Sequence, residues 1–158
     1  MDFFLVRHGD AKDDFEDPRR PLSERGRSEV KRVARAVAEK GIRVFEILHS
    51  DKLRAKQTAE ILAQSLSPRR GVRKTVGLSP QDDPLVVKAE IETAQEPLML
   101  VGHLPLLNRL ASLLVAGDSE RDLVDFPTAA IVCLSCKIDK WKIEWTLTPR
   151  GASEGVDR

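Results

Sequence analysis

Two histidines and two arginines occur beside short apolar segments whose pattern predicts β-strands. Arg7 and His8 follow one such segment, Arg54 lies one helical turn after another, and His103 comes directly after Gly102 at the end of a third. Open α/β sheets bind their ligands outside the carboxyl ends of their strands. We therefore expect these side chains from three separate segments to converge on one edge of the sheet.

This combination of side chains suits a tetrahedral phosphoryl group. Arginine offers a planar fork of donors to phosphate oxygens, and a neutral imidazole can form a covalent intermediate. The neighbouring arginines disfavour the imidazolium form and so help to keep His8 neutral. Phosphoryl transfer depends on positioning and on stabilising negative charge on the equatorial oxygens. The group lacks the carboxylate majority that a metal site prefers, so we predict a site without a metal ion or organic cofactor.

Composition limits the classes of partner. The chain has 158 residues, 41% hydrophobic and 32% charged, with a formal net charge of +1. We expect a single domain over residues 1–158, with a loosely ordered tail after about residue 150. The near-neutral charge gives no general attraction for nucleic acid or for an anionic membrane. We therefore expect neither as a partner, and a monomer or weak oligomer.

The N-terminal apolar stretch is only four residues long and follows Asp2, which is typical of neither a signal peptide nor a membrane span. Cys133 and Cys136 stand three apart in a predicted strand, so they should point to opposite faces. That spacing disfavours a disulfide and shared metal ligation, and it favours a reducing compartment. These features predict a cytoplasmic location.

Short apolar runs alternate with helical patterns, which predicts an α/β domain with a mostly parallel sheet. The expected strands are 3–6, 45–49, 73–76, 98–101, 130–136 and 141–147. Four helices are expected between them, over residues 23–41, from near residue 51, over 84–94 and over 106–114. The last two strands are joined by a short polar turn and should form an antiparallel hairpin. We therefore expect a three-layer α/β/α sandwich of about six strands.

Three motifs resemble those of the histidine phosphatase superfamily, which includes the phosphoglycerate mutases. L-V-R-H-G at 5–9 resembles its RHG signature, S-D-K-L-R-A-K-Q-T-A at 50–59 resembles its S-x-x-x-R-A-x-Q-T-A segment, and G-H-L-P at 102–105 resembles its second-histidine motif. Within the superfamily, R-H-G-D-A at 7–11, R-P-L-S-E-R-G at 20–26 and L-S-P at 78–80 are similar to the SixA-type phosphohistidine phosphatases. The resemblance covers residues 3 to about 149 and implies a phosphoglycerate mutase-like fold.

The resemblance also implies roles for individual residues. His8 would attack phosphorus and become phosphohistidine. Arg7 and Arg54 would bind the phosphoryl oxygens, and His103 would donate a hydrogen bond to the same group. Three further residues are expected at or near the phosphate pocket: Ser50, Arg20 and Gly9.

The segment after the third predicted strand lacks a glutamate. Many members of the superfamily carry an acid there that protonates the leaving oxygen of an alcohol. Residues 76–83 contain no Glu, and Asp82 and Asp83 precede Pro84 as helix N-terminal residues often do. Asp10 follows the nucleophile and could reach the phosphoryl pocket or bind backbone amides of its own loop.

A missing acid favours a substrate with a good leaving group. An alkoxide leaves poorly, whereas imidazole leaves a phosphoimidazole readily. We therefore predict a phosphohistidine phosphatase acting on a phosphoprotein. The SixA-type resemblance implies substrates such as histidine-containing phosphotransfer domains of two-component signalling. Two alternatives stay open: a small-molecule phosphomonoesterase using Asp82, Asp83 or Asp10 as the acid, and a non-catalytic phosphoprotein-binding module.

Overall fold

The computed structural model describes residues 1–156, in which strands and helices alternate along most of the chain. In order, the elements are β1 (Asp2–Arg7), α1 (Glu24–Glu39), β2 (Glu46–His49), α2 (Leu53–Leu66), β3 (Val72–Lys74), α3 (Pro84–Thr93), β4 (Leu98–Gly102), α4 (Leu106–Ala116), β5 (Ile131–Lys137), β6 (Lys140–Leu147) and α5 (Pro149–Val156). None of these helices is both long and apolar enough to cross a membrane.

The six strands form one sheet in the order β3-β2-β4-β1-β5-β6. The first four in that order pair in parallel, β5 runs antiparallel to β1, and β6 runs antiparallel to β5. The predicted α/β sheet of six strands, mostly parallel with an antiparallel C-terminal hairpin, is therefore confirmed. The order places the ends of β1, β4 and β2 side by side, and these are the strands that precede the predicted site residues.

Alternating side chains of the strands divide the core into two layers. Phe4 and Val6 of β1 belong to the layer that contains buried residues of α1, α2 and α5. Phe3 and Leu5 belong to the opposite layer, with buried residues of α3 and α4. A central parallel strand is buried on both faces, which explains its uninterrupted apolar sequence. The arrangement is the predicted three-layer sandwich.

The third strand differs from the predicted range of 73–76, because β3 ends at Lys74. It is an edge strand that pairs only with β2, and the chain turns at Gly77, whose φ is +95°. Val76 consequently lies outside the sheet, and 79% of its surface is exposed.

The C-terminal segment contains a helix where the sequence analysis expected a loosely ordered tail. α5 begins at Pro149, and Thr148 Oγ1 accepts a hydrogen bond from the Gly151 amide at 3.0 Å. Ala152 is buried in the layer formed by α1 and α2. Residues 157 and 158, the end of that expected tail, lie outside the described residues.

A close backbone contact joins the loop after β1 to the first turn of α1. Ser23 caps α1 by accepting from the Gly26 amide, and the Ser23 amide donates to the Asp10 carbonyl at 3.0 Å. A Cβ atom on Gly26 would stand 2.0 Å from the Asp10 carbonyl oxygen. Only glycine allows the helix to approach the loop this closely, and the loop begins with His8.

Substituting Gly26→Ala should therefore destabilise the fold. The added methyl meets backbone and cannot be accommodated by a side-chain rotation, so we expect a loss of about 1–3 kcal/mol in the free energy of unfolding. Gly151→Ala is the matched control in another helix, where the new Cβ would meet only Thr148 Oγ1 at 3.4 Å. It should be neutral or stabilising by up to about 1 kcal/mol. Equal midpoints for both variants in urea denaturation would contradict the proposed contact.

Candidate active site

The backbone of β4 and the loop after β1 hold His8 at the carboxyl edge of the sheet. The His8 amide donates to the Gly102 carbonyl at 3.1 Å, and the side chain is buried. Its Nδ1 lies 2.8 Å from the Gly9 carbonyl oxygen. A carbonyl only accepts hydrogen bonds, so Nδ1 carries the proton in the neutral ring. The lone pair of the neutral imidazole is therefore on Nε2.

The surroundings of His8 keep the ring uncharged. Burial lowers the pKa of His8 from 6.5 to about 4, assisted by the positive charges of Arg54, Arg7 and Arg20, against the opposing effect of the hydrogen bond to Gly9. Burial disfavours the charged imidazolium, and like charges disfavour it further. At neutral pH, His8 thus has the protonation state that a nucleophile requires.

His103 lies beside His8, with ring centroids 4.8 Å apart. Its Nε2 is 2.6 Å from Ser50 Oγ. The Ser50 oxygen accepts a hydrogen bond from the Lys52 amide at 3.3 Å. Burial is the largest cause that lowers the pKa of His103 to about 3, followed by electrostatic repulsion from a protonated His8 and from Arg54. The second ring nitrogen, Nδ1, is buried without a hydrogen-bonding partner in the protein.

Arg7 and Arg54 place two guanidinium groups near His8. Arg7 Nη1 donates to the Phe126 carbonyl at 2.8 Å, which anchors one end of the fork. The Nε atoms of both arginines are buried and have no acceptor in the protein. Burial lowers the pKa of both guanidinium groups from their ordinary value. An oxyanion would supply both the missing acceptors and a compensating charge.

Arg20 reaches the same edge from the loop that precedes α1. Its φ is +48°, and its Nε donates to the Lys12 carbonyl at 3.1 Å. Its positive charge contributes to lowering the pKa of both His8 and Arg54. Arg20 therefore adds to the positive potential of the site.

Gly9 is held by a contact that the sequence analysis did not single out. Its amide donates to Thr58 Oγ1 at 3.0 Å, and the Thr58 hydroxyl donates to the Arg54 carbonyl at 2.8 Å. A Cβ atom on Gly9 would stand 2.6 Å from Val30 Cγ2. Thr58 lies inside the motif at 50–59, so the sequence offered a means of predicting that Thr58 belongs to the site. The Phe126 carbonyl had none, because a backbone oxygen does not depend on residue type.

The carboxylates considered as acids are hydrogen-bond acceptors in the structure. Asp10 Oδ2 accepts from the Ser23 hydroxyl at 2.6 Å, so the Asp10 carboxylate binds the N-cap residue of α1 rather than the loop amides. Asp82 Oδ2 accepts from the Ser79 amide at 2.9 Å. Asp83 is the N-cap of α3, as its position before Pro84 predicted.

Within residues 1–156, no group of three or more His, Cys, Asp or Glu side chains has an arrangement that could hold a metal ion. Both cysteines are free.

A buried neutral imidazole, a second imidazole and several arginines together suit the binding of a phosphoryl group. Sequence comparison identifies the protein family in which this site occurs. The model of the histidine phosphatase superfamily (branch 1) matches residues 3–78. An uncharacterized protein of Picosynechococcus sp. (strain ATCC 27264 / PCC 7002 / PR-6) is 36% identical over 131 residues, which is 78% of each chain. The chain belongs to the histidine phosphatase superfamily, and this membership together with its similarity to the phosphatase SixA supports a phosphatase, that is, a hydrolase.

Within the superfamily, the chain is similar to SixA. The phosphohistidine phosphatase SixA of Escherichia coli (strain K12) is 27% identical over 155 residues, 94% of each chain. A solved structure of the protein histidine phosphatase SixA complexed with tungstate superimposes with a TM-score of 0.83 at 27% identity, covering 95% of this chain and 98% of that one. A mycobacterial glucosyl-3-phosphoglycerate phosphatase shares the fold, with a TM-score of 0.69 at 18% identity over 91% of this chain and 97% of that one.

The two lowered histidine pKa values predict how stability depends on pH. Between about pH 4 and 6.5, an unfolded imidazole binds a proton that the folded His8 and His103 do not. The unfolded state therefore binds more protons, and the free energy of unfolding should rise with pH across this range. Each imidazole contributes a slope of at most about 1.4 kcal/mol per pH unit.

Urea denaturation at several pH values measures this slope, and His8→Gln serves as the reference because it removes one of the two titrations. The variant should show the smaller slope between pH 4 and 6.5. Identical slopes in the wild type and the variant would show that His8 keeps an ordinary pKa in the folded protein.

Proposed function

We propose that the protein is a phosphohistidine phosphatase that hydrolyses phosphohistidine on a phosphoprotein through a covalent phospho-His8 intermediate. One observation carries the choice of substrate: the carboxylates at this edge accept hydrogen bonds from protein donors. Besides Asp10, Asp82 and Asp83, this holds for Asp51, which accepts from Ser79 Oγ at 3.1 Å. Each of these carboxylates is engaged by a donor of the protein, whereas a general acid must present its own proton to the leaving oxygen.

In the first half-reaction, His8 Nε2 attacks phosphorus with its lone pair while the bond between phosphorus and the substrate's imidazole nitrogen breaks. The released imidazole leaves with the electron pair of that bond and takes a proton from water. His8 is suited to this step because its Nδ1 proton is bound to the Gly9 carbonyl. The ring therefore presents Nε2 in a fixed tautomer.

The two arginines and His103 stabilise the charge on the phosphoryl oxygens during transfer. The Ser50 hydroxyl already accepts from the Lys52 amide, so its own proton is available for His103 Nε2. That pairing leaves the proton of His103 on Nδ1, the buried atom without a protein partner. His103 would then donate to a phosphoryl oxygen as a neutral ring. Preorganised donors of this kind are typically the largest contribution to catalysis.

In the second half-reaction, water attacks phosphorus and the bond to His8 Nε2 breaks. Inorganic phosphate leaves, and His8 regains its neutral form. The proton lost by the attacking water neutralises the hydroxide left when the released imidazole was protonated, so one water is consumed for each phosphohistidine hydrolysed. The phosphoimidazole bond is broken in both halves, and each leaving group is an imidazole. A strong positioned acid adds less to such a cycle than to ester hydrolysis, where general acid catalysis contributes about 10²–10⁴-fold.

The similarity to SixA supports this choice, because the Escherichia coli relative is itself a phosphohistidine phosphatase. The solved SixA structure contains tungstate, an oxyanion, and the unpaired donors of Arg7, Arg54 and His103 suit such a ligand. Fold similarity alone does not separate the candidates, since a phosphatase of a small sugar phosphate shares the same fold. A binding module would have no need of a nucleophile held neutral.

A denaturing quench tests the covalent step. With a labelled phosphodonor, the wild type should trap phosphate that is labile in acid and stable in alkali, as expected for a phosphorus–nitrogen bond. His8→Ala should trap none. His49→Ala is the matched control, because His49 ends β2 at the same edge of the sheet and its Nδ1 also contacts the carbonyl oxygen of the next residue, at 2.7 Å. This variant should still trap label. If the wild type traps no labelled phosphate under turnover conditions, the result would favour the binding module.

Substrate comparison tests the leaving group. We expect kcat/KM for a phosphohistidine peptide to exceed that for aliphatic phosphate esters by at least about 10²-fold, the lower end of what a missing acid costs ester cleavage. Esters that turn over as fast as the peptide, or faster, would replace the phosphohistidine assignment by the small-molecule phosphomonoesterase.

A further inference from the structure

A groove begins beside the active site and runs along the segment between β3 and α3. It has a volume of about 870 Å³, and Asp51, Val76, Ser79, Asp82 and Val86 are among its lining residues. Asp51 directly follows Ser50, the residue whose hydroxyl contacts His103. The groove therefore borders the active site through the neighbouring residues Ser50 and Asp51. The side chains proposed to bind the phosphoryl group are not among its lining residues.

Exposed aliphatic side chains cluster on the segment that forms this groove. Of the seven large hydrophobic residues that are exposed in the described part of the chain, Val76, Leu85 and Val86 lie on this segment, with exposures of 79%, 57% and 49%. Val76 and Val86 line the groove, and Leu85 is next to Val86 in sequence. Large apolar side chains clustered at the surface mark interaction sites more often than scattered ones do. Neither the core nor the phosphoryl chemistry accounts for these three.

The shape of the groove is set by local contacts. Asp82 accepts from the Ser79 amide, Asp83 caps α3, and Ser79 Oγ donates to Asp51. A Cβ on Gly77 would stand 2.9 Å from Val86 Cγ1, so Val86 packs directly on the turn. The groove is thus preformed, which lowers the entropy lost when a partner binds.

Its charge is opposite to that of the neighbouring site. Three aspartates and one lysine line the groove, whereas the positive charges of Arg7, Arg20 and Arg54 act on His8. A substrate that fits both regions carries a phosphoryl dianion flanked by cationic and aliphatic side chains. Complementary charge of this kind steers association and sets the register of binding.

We propose that this groove, referred to here as the β3–α3 groove, docks the protein part of the substrate, a surface on which phosphohistidine is flanked by lysine or arginine and an aliphatic residue. This inference rests on the proposed function and adds to it the selection of the protein substrate. The groove would recognise the residues around the phosphohistidine, while the active site recognises the phosphoryl group. A free phosphorylated imidazole would use only the active site.

Two synthetic helical peptides test the proposal. Each carries a central phosphohistidine and a leucine one helical turn away, and they differ only in whether the remaining flanking positions are lysine or glutamate. The wild type should hydrolyse the lysine peptide with a kcat/KM roughly tenfold higher, mainly through KM, as expected for contacts at an interface centre. The arginine-rich active site alone would favour the glutamate peptide, so this direction of preference is diagnostic.

Val76→Lys should bring the two peptides close to parity, because it places a cation on the groove wall. Ile138→Lys is the matched control: Ile138 is 96% exposed and lies in the β5–β6 turn, at the opposite edge of the sheet from His8. It should keep the wild-type preference. Phosphoimidazole should be hydrolysed at the same rate by the wild type and both variants.

Two results would overturn the docking assignment. One is equal kcat/KM of the wild type for the two peptides, and the other is an equal effect of Val76→Lys and Ile138→Lys on the preference between them. A concentration-dependent dimer in sedimentation that Val76→Lys dissociates would instead assign the groove to a second copy of this chain. Failure of the proposed function looks different: phosphoimidazole and both peptides would resist hydrolysis while aliphatic esters were cleaved, and the docking role would fall with it.

Discussion

A histidine can attack phosphorus only while it is uncharged, and this site must keep His8 uncharged among positive groups that attract phosphate. Burial and the arginines act in the same direction, because both disfavour the imidazolium and lower the pKa of His8 to about 4. In the proposed mechanism, the groups that bind the substrate's charge therefore also keep the nucleophile uncharged. The Gly9 carbonyl fixes the tautomer, so the charge state and the reactive nitrogen are set by neighbouring groups on one loop and its surroundings.

Maintaining that environment requires an unusually close approach of backbone segments. The loop after β1 is covered by the first turn of α1, which Gly26 allows to come within contact of Asp10. Thr58 of α2 holds the loop from the other side through the Gly9 amide. Two helices in the same core layer thus clamp one loop, and the layer they form is buried against the sheet. The stability of this layer and the placement of His8 are not separable properties.

Much of this arrangement could be predicted from residue type and spacing. Short apolar runs alternating with helical patterns predicted the layers, and the motifs at the strand ends predicted which side chains would share an edge. The structure brings His8, His103 and Ser50 into mutual proximity, with Arg7, Arg20 and Arg54 close enough to influence the pKa of His8. The roles of these residues in turnover are proposals that rest on this geometry.

Other features could not be predicted because they depend on backbone placement. The Phe126 carbonyl anchors Arg7 from a loop without a motif, and a carbonyl is common to every residue. The predicted end of β3 was wrong because an apolar residue such as Val76 is compatible both with a buried strand and with an exposed interaction surface. In the structure, Val76 is exposed. Asp10 was assigned to either the pocket or its own loop, whereas its carboxylate binds Ser23, a partner that only the docking of α1 brings near.

The unpaired Nε atoms of Arg7 and Arg54 have a consequence for the end of the catalytic cycle. Inorganic phosphate has the same oxygens and nearly the same charge as the group that was transferred, so these donors hold the product as well as the substrate. In the proposed cycle, free phosphate around the protein then competes with incoming substrate. A phosphatase built in this way would be slowed in phosphate-rich conditions and released from inhibition when phosphate is scarce.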